Sequence, residues 1–474
     1  MRRTTVAALA VLSSLVMSAS ARAHGFGGHG ACVAADVPTA YHAAFPARAA
    51  GRVAVMTNFG LLVSQDGGET FGWGCIETYG ASPGPYFLED APKTLDVLGD
   101  GTLYVLYTIG YRESRDGGCG YRFAPDPDLV NASVVAVTDA PASPGVTYAV
   151  ASAPGTPPFG VFTSDDGGVD FSPTGLLLYG LGTGLGRPVF TSDGATLYTL
   201  SLEPDVGVRV WRSDDGAVTW QDAVPDLAVS DATLLGVDDA DPAVLYLEVT
   251  DQPRSPCDFR TRVLRSDDSG ASFSPLIERS GDVLTGALVR DDGSLWLAWR
   301  DAGLERVDGS GAVTSLLERP LSCLLPSDGG VLLCPRDGAP ELVVARDDAT
   351  SALSPVVTLG QVVGPLSCPA GTPASGPCEA RWLDAAALLG LGPTALVDGG
   401  SAAADAGRSD AAESDAGVGG ALDAGGADAG GAVSGVLSCR CAGAIPPLST
   451  SVWSLLLPLV LGSLLAARGR RGSP

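Results

Sequence analysis

Residues 164–171 read Ser-Asp-Asp-Gly-Gly-Val-Asp-Phe, a pattern in which an aspartate follows a serine by two positions and an aromatic residue follows the aspartate by five. Five copies occur in the 474-residue chain, at Ser64, Asp66, Gly68 and Phe71; Ser114, Asp116, Gly118 and Tyr121; Ser164, Asp166, Gly168 and Phe171; Ser213, Asp215 and Trp220; and Ser266, Asp268, Gly270 and Phe273. Successive aspartates are 50, 50, 49 and 53 residues apart. This period is the length of one propeller blade.

Each copy has the composition of a tight turn between two strands. The aspartate can accept hydrogen bonds from its own backbone amides, and glycines such as Gly67 and Gly68 permit a positive φ. Apolar, β-branched and aromatic runs precede each copy, as in residues 102–107 and 244–249. The pattern therefore predicts four strands in each unit, which is a propeller blade.

Two weaker units follow the five clear ones. Residues 294–299 lead to a turn at Asp308, and residues 330–335 lead to another at Asp347, at spacings of 40 and 39 residues. We therefore predict an all-β propeller of seven four-stranded blades over residues 24–397, followed by a disordered stalk and a C-terminal apolar helix. An eighth unit or a cap that is not a blade is the alternative for residues 363–391.

The repeated pattern resembles the Asp-box, or BNR repeat, of the sialidase and sortilin-like propellers. The resemblance implies that these turns are structural, that they lie away from the ligand face, and that their aromatic residues pack between blades. The acidic pairs at 165–166, 214–215 and 267–268 leave a Ca²⁺ site as a minor alternative, because such a site needs six or more oxygen ligands. We expect no other cofactor.

Sialidases add an arginine triad, a Tyr/Glu nucleophile pair and a Phe/Tyr-Arg-Ile-Pro motif before the first box. No such motif precedes Ser64, and Arg187-Pro188 lies beyond the third box without the flanking residues. Four carboxylates are candidates for a glycosidase acid/base pair, namely Glu89, Asp90, Glu203 and Glu248. Acidic residues are abundant and the chain has three histidines, so we predict no catalytic residue.

Both ends of the chain carry export signals. Residues 1–23 contain two arginines, an apolar run and the sequence Ala-Arg-Ala, which predict a cleaved signal peptide. Residues 398–437 are rich in Ala, Gly, Asp and Ser and predict a disordered linker. In residues 438–474, a cysteine pair, an apolar stretch and an arginine cluster follow one another.

This order resembles the Myxo-CTERM sorting signal of myxobacterial surface proteins. The resemblance implies that a membrane protease processes the tail at Cys439 or Cys441. It also implies that the protein stays on the outer surface of a Gram-negative cell, anchored or released. A plain single-span membrane anchor is the alternative.

Eight further cysteines fit an exported chain with four disulfides. Cys323 and Cys334 are predicted to face each other across a hairpin. Cys75 and Cys119 are expected near one rim of the propeller, and a bond from Cys368 to Cys378 would close a small loop. Cys32 and Cys257 remain by elimination.

The net charge of −25 argues against nucleic-acid binding, since phosphate contacts need clustered cations. The sequence favours a surface-anchored, non-catalytic module that binds an extracellular protein or glycan through the loops at 79–92, 153–160 and 251–259. An extracellular glycoside hydrolase or lyase, and a structural part of an adhesion or secretion apparatus, are the alternatives.

Overall fold

A computed structural model describes residues 37–46, 48–49, 51–79, 94–106, 111–123, 129, 132–141, 143–152, 159–178, 184–203, 206–227, 229, 231–251, 260–327 and 330–391. The chain divides into two units, Met1–Asp405 and Ala406–Pro474, and all of these residues belong to the first. The predicted signal peptide, linker and sorting signal, with Cys439 and Cys441, lie outside the described residues.

Seven antiparallel sheets follow one another along the chain. The first three contain β1 (Ala40–Ala44), β2 (Val53–Thr57), β3 (Gly60–Ser64) and β4 (Phe71–Gly74); β5 (Thr94–Val97), β6 (Leu103–Leu106), β7 (Tyr111–Ser114) and β8 (Arg122–Phe123); and β9 (Ser133–Asp139), β10 (Thr147–Ser152), β11 (Phe159–Ser164) and β12 (Ser172–Leu178). The fourth has its first strand in two pieces and contains β13 (Gly184–Leu185), β14 (Val189–Phe190), β15 (Leu197–Glu203), β16 (Gly207–Ser213) and β17 (Gln221–Ala223).

The last three sheets have four strands each. They contain β18 (Ala232–Val237), β19 (Leu245–Asp251), β20 (Arg260–Ser266) and β21 (Ser274–Ser280); β22 (Leu284–Val289), β23 (Leu295–Trp299), β24 (Gly303–Val307) and β25 (Val313–Leu317); and β26 (Leu321–Ser327), β27 (Gly330–Pro335), β28 (Glu341–Asp347) and β29 (Leu353–Thr358). Four further elements are described: β30 (Val362–Pro365), the helix α1 (Pro377–Leu388) and two short 3-10 turns at Ile76–Tyr79 and Leu359–Gln361.

The sheets form a ring of seven blades around an axis. The first strand of each blade lies beside the first strands of its neighbours, as β5 does between β1 and β9, and β22 between β18 and β26. Strand β1 also lies beside β26, so blades 1 and 7 close the ring. The prediction of an all-β, seven-bladed propeller is confirmed, and the turns after β24 and β28 are those predicted at Asp308 and Asp347.

Burial within a blade decreases from the inner strands to the outer one. All residues of β2, β6, β23 and β27 are buried, because both faces of these strands pack against neighbouring blades. The outer strands β21, β25 and β29 are mostly exposed or half-buried. This gradient explains why the inner strands read as continuous apolar runs.

Antiparallel pairing gives the ring two different faces. The turns that join first to second and third to fourth strands lie on one side, which we call the acidic-turn face because it holds the five acidic turns at 64–71, 114–121, 164–171, 213–220 and 266–273. The connections from second to third strands, and from blade to blade, lie on the other side, which we call the mouth face.

Residues 362–391, which we call the closing strap, follow blade 7 and return to blades 1 and 2. Strand β30 pairs parallel with β4 at the outer edge of blade 1. Disulfides then join Cys119 to Cys368 and Cys75 to Cys378. Of the two alternatives for this segment, the structure therefore shows a cap and not an eighth blade.

The disulfides correct part of the sequence-based pairing. Cys323 and Cys334 are bonded across the hairpin of β26 and β27, as predicted. Cys75 does not pair with Cys119, because Cys75 follows β4 on the mouth face and Cys119 lies in an acidic turn on the opposite face. Cys368 and Cys378 are likewise not bonded to each other, because the closing strap brings Cys378 to blade 1 and Cys368 to blade 2.

Cys32 and Cys257 lie outside the described residues. Within the described ranges, no helix has the length and apolar character required to cross a membrane.

Candidate functional site at the mouth of the central channel

The acidic turns are closed by their own side chains. In all five, the serine hydroxyl donates to the aspartate at 2.6–2.9 Å, as from Ser164 Oγ to Asp166 Oδ1. The same oxygen accepts the backbone N–H four residues on, as from Gly168 at 2.9 Å. The aspartate accepts a second amide on the far side of the turn, as Asp66 does from Thr70 at 3.0 Å.

These bonds lower the pKa of Asp66, Asp215 and Asp268. For Asp66 and Asp215 the largest cause is the hydroxyl of Thr70 or Thr219, and for Asp268 it is that of Ser272. The carboxylates are thus occupied by donors of their own turns. No group of three or more His, Cys, Asp or Glu side chains that could hold a metal ion is found among the residues with described positions.

A second repeated residue, which the sequence reasoning did not identify, joins three of the blades to the next blade on the acidic-turn face. Tyr104 Oη donates to the Gly168 carbonyl of the next blade at 3.0 Å, and Tyr198 Oη donates to Pro242 at 2.8 Å. Tyr246 Oη does the same to Gly293 at 3.3 Å. All three occupy the second position of a second strand. The regular spacing of these tyrosines in the sequence is the signal that could have identified them.

The channel contains a cluster contributed by the first strands of four blades. Asp96 of β5 forms an ion pair with Arg187 of blade 4, and its other oxygen accepts the Val137 amide of β9 at 2.8 Å. Burial lowers the pKa of His42 in β1 to about 4, with Asp96 opposing and Arg187 reinforcing the shift. His42 is therefore neutral at pH 7. Arg187 lies in this cluster at the axis, although the residues that flank it do not match the sialidase motif.

Further charged groups line the mouth face at blades 6 and 7. The Asp282 carboxylate accepts the backbone amides of residues 283, 301 and 302 at 2.8–3.0 Å. Arg300 pairs with Asp301, and Arg319 forms two bonds with Asp337 at 2.6 and 3.1 Å. These charged side chains are bonded to one another or to backbone amides, and together they form a rigid polar rim.

One cation of this rim is different. Arg336, in the connection between β27 and β28, is half-buried, and burial lowers its pKa. No hydrogen-bond or ion-pair partner of its guanidinium lies in the described part of the chain. Tyr41 of β1, which is 46% exposed, interacts electrostatically with Arg336.

The four carboxylates weighed from the sequence are not equivalent. Glu203 pairs with Arg209 at 2.9 Å. Glu248, on β19 of blade 5, has no ion-pair partner among the residues that the structure describes, and burial followed by the nearby Asp231 raises its pKa to about 8. Glu89 and Asp90 lie outside the described residues.

The three loops proposed to bind ligand connect strands on the mouth face. The loop at 79–92 joins blades 1 and 2, and those at 153–160 and 251–259 join second to third strands of blades 3 and 5. Residues 80–93, 153–158 and 252–259 are outside the described ranges. The strand ends that these loops join therefore lie on the mouth face, which also carries the charged rim.

No protein family model and no curated protein matches the chain. Solved structures are similar to parts of the chain. An ancestral GH74 enzyme is 16% identical over 67% of this chain and 46% of its own, with a TM-score of 0.44. YCF48 from Cyanidioschyzon merolae is 11% identical over 67% of this chain and 98% of its own, also with a TM-score of 0.44.

The extracellular domain of a one-component system from B. thetaiotaomicron is 11% identical over 64% of this chain and 38% of its own, with a TM-score of 0.40. The chain thus spans less than half the length of the GH74 enzyme and of this extracellular domain. Similarity at this level concerns the propeller fold alone and assigns no activity.

Proposed function

We propose that the chain is a non-catalytic binding module that takes an extracellular glycan or protein on its mouth face. The observation that supports this proposal is Arg336, a half-buried cation without a partner in the described chain, beside the exposed ring of Tyr41. A cation without a counter-charge on a rigid rim, next to an aromatic face, is an arrangement suited to a ligand that supplies the missing charge.

The module is displayed at the cell surface in this proposal. The acidic turns are Asp-boxes of a sialidase or sortilin-like propeller, in which they have a structural role. The signal peptide exports the chain, the linker at 398–437 acts as a stalk, and processing near Cys439 or Cys441 leaves the protein on the outer surface of a myxobacterium-like cell. Mass spectrometry of the native C-terminus tests this part, because a retained apolar tail would contradict processing.

A combined screen tests the binding function. The full-length chain is applied to a glycan array and to immobilised extracellular proteins, and it is incubated with chromogenic and polysaccharide glycosidase substrates. The expected result is saturable binding without turnover. Turnover that persists after repeated purification, or an absence of binding to every ligand class, would contradict the proposal.

A glycoside hydrolase is the second candidate, and one observation favours it. With a pKa of about 8, Glu248 is protonated at neutral pH, as a general acid must be, and Asp231 lies close by. If the chain hydrolyses any substrate, Glu248→Gln is expected to abolish turnover and leave binding intact. The exposed pair partner Asp222, changed to Asn, is the matched control.

A further inference from the structure

Arg336 differs from every other arginine in the described residues. The others form ion pairs with carboxylates, as Arg300 and Arg319 do, except for two. Arg52 donates to the Gly101 carbonyl at 3.5 Å, and Arg112 stacks 4.2 Å from the centre of the Phe123 ring. In a chain with a net charge of −25, a half-buried cation with neither a carboxylate nor any other side-chain partner among the described residues points to an anion supplied from outside.

The backbone around Arg336 is held firmly. Its amide donates to the Pro320 carbonyl at 3.1 Å, and two residues before it Cys334 is bonded to Cys323. Ser322 Oγ lies within hydrogen-bonding distance of the carbonyl oxygens of both Cys334 and Ala40. Ala40 immediately precedes Tyr41, so one serine ties together the two strands that carry the arginine and the tyrosine. The backbone that carries each side chain is therefore fixed at the seam between blades 7 and 1, which lowers the cost of ordering the pair around a ligand.

The carboxylates around Arg336 are bonded to groups other than Arg336. The groups that act on it electrostatically are Tyr41, Arg300, Asp301 and Asp282. Asp301 is paired with Arg300, and Asp282 is occupied by backbone amides. None of these carboxylates makes a bond to Arg336. The guanidinium thus keeps its donors available on the mouth face.

We infer that Arg336 and Tyr41 form a subsite for a carboxylated sugar, a uronic acid unit of an extracellular glycan, and this inference rests on the proposed binding function. A planar guanidinium binds a carboxylate through two parallel hydrogen bonds. In a uronic acid the carboxylate is attached to a rigid ring with an apolar face, which matches an exposed tyrosine ring beside a fixed arginine. A carboxylate on a flexible peptide side chain would lose rotamer freedom on binding, which disfavours an acidic peptide.

Calorimetric titration of the full-length chain with trigalacturonic acid tests the inference. The arms are the acid, its methyl ester, which keeps the rings but removes the charge, and an acidic peptide. Wild type is compared with Arg336→Gln, Arg336→Lys and Tyr41→Ala. Arg306→Gln is the control, because it removes an equal charge that is paired with Asp292 on the acidic-turn face.

The expected result is that the acid binds wild type and the Arg306 variant alike, and that Arg336→Gln weakens binding about 10- to 100-fold. The lysine variant recovers part of the loss, and Tyr41→Ala weakens binding even if Arg336→Gln fails to fold. Four results would each overturn the inference. They are equal binding of acid and ester, equal binding of the acid by wild type, Arg336→Gln and Tyr41→Ala, no binding of the acid, and preference for the peptide. If array ligands still bind in those cases, the proposed function stands without this subsite.

Discussion

At the scale of single residues, the polar side chains of the two faces have different tasks. On the acidic-turn face a serine and an aspartate close each turn, and the glycines allow a backbone that other residues avoid. Gly168 has φ of +81°, and a Cβ there would lie 2.3 Å from Tyr104 Oη. The same glycine carbonyl accepts the tyrosine hydrogen bond. A side chain at this position would therefore break both the turn and the contact between blades.

Ser164→Ala tests the turn chemistry. The change leaves the buried Gly168 amide without its acceptor, so we expect the free energy of unfolding to fall by about 1–3 kcal/mol. Urea unfolding followed by tryptophan fluorescence measures it. Ser192→Ala, an exposed serine without a described side-chain bond, is expected to change stability by less than about 0.5 kcal/mol. Equal effects of the two changes would contradict the role given to Ser164.

His42 gives a prediction of pH dependence. Its pKa is about 4 in the folded chain and about 6.5 when unfolded, so the unfolded chain binds the proton more readily. The contribution of His42 to stability is therefore complete above pH 6.5 and is lost as pH falls towards 4. Urea midpoints at pH 7 and pH 5 should differ less in His42→Gln than in wild type. An equal or larger difference in the variant would contradict the neutral histidine.

Glu248 acts in the opposite sense. Its pKa is about 8 in the folded chain and near 4.5 when unfolded, so its contribution is complete below pH 4.5 and is lost as pH rises through 8. Glu248→Gln should therefore unfold at a higher urea concentration than wild type at pH 9, with a smaller difference at pH 5. Measured midpoints that move in parallel at both pH values would indicate an ordinary, solvated carboxyl group.

The turn residues could be predicted from the sequence because each turn is local, and its serine, aspartate and glycine lie within eight positions. Arg336 and Tyr41 could not, because nothing in a sequence shows which of many arginines lacks a carboxylate after folding. The tyrosines at 104, 148, 198 and 246 were within reach, since they recur at intervals of 44, 50 and 48 residues. Their interval shows a repeat, but the hydrogen-bond partners of Tyr104, Tyr198 and Tyr246 belong to the next blade.

At the scale of elements, the closing strap is the feature that the repeat could not reveal. The four-stranded pattern of a blade recurs seven times along the sequence, whereas β30 and α1 each occur once and follow no period. Helix α1 packs Trp382 against Trp73 of β4, with ring centres 5.8 Å apart, and its Cys378 is bonded to Cys75. Without the position of this helix, the disulfide pairing of the four strap-related cysteines is undetermined.

The two strap disulfides should act together. The two disulfides join residues that are 303 and 249 positions apart, and the stretches that they span overlap. Either disulfide alone therefore still closes most of the loop that the other one closes. Cys75→Ala with Cys378→Ala is expected to cost about 2–4 kcal/mol, and removal of both disulfides should cost more than the sum of the separate removals. Urea unfolding of the three variants measures this, and strictly additive costs would contradict the shared loop.

At the scale of the whole molecule, the ring is joined near its axis by bonds between successive blades. Thr261 Oγ1 donates to the Asp282 carbonyl and Thr285 Oγ1 to that of Leu321, both at 3.2 Å. Asp96 joins blades 2, 3 and 4 through Val137 and Arg187. The blade number followed from the period and chain length, whereas these axial bonds required the ring to be closed first.

Asp96→Asn tests this axial link. The variant keeps the shape of the side chain but removes the charge that Arg187 and the Val137 amide share, so we expect a loss of about 1–3 kcal/mol on unfolding. Asp222→Asn, which removes an exposed partner of Arg209, serves as control and should change stability by less than about 1 kcal/mol. A thermal shift no larger than that of the control would show that the ring does not depend on this cluster.

The position of Cys378 determines how mechanical load would pass into the domain. Any tension applied to the chain beyond residue 391 meets α1 first, and the covalent bond to Cys75 transfers that tension directly to blade 1. The tension therefore does not pass through the contact between β1 and β26. A force on a bound ligand would load the disulfide before it could separate blade 7 from blade 1.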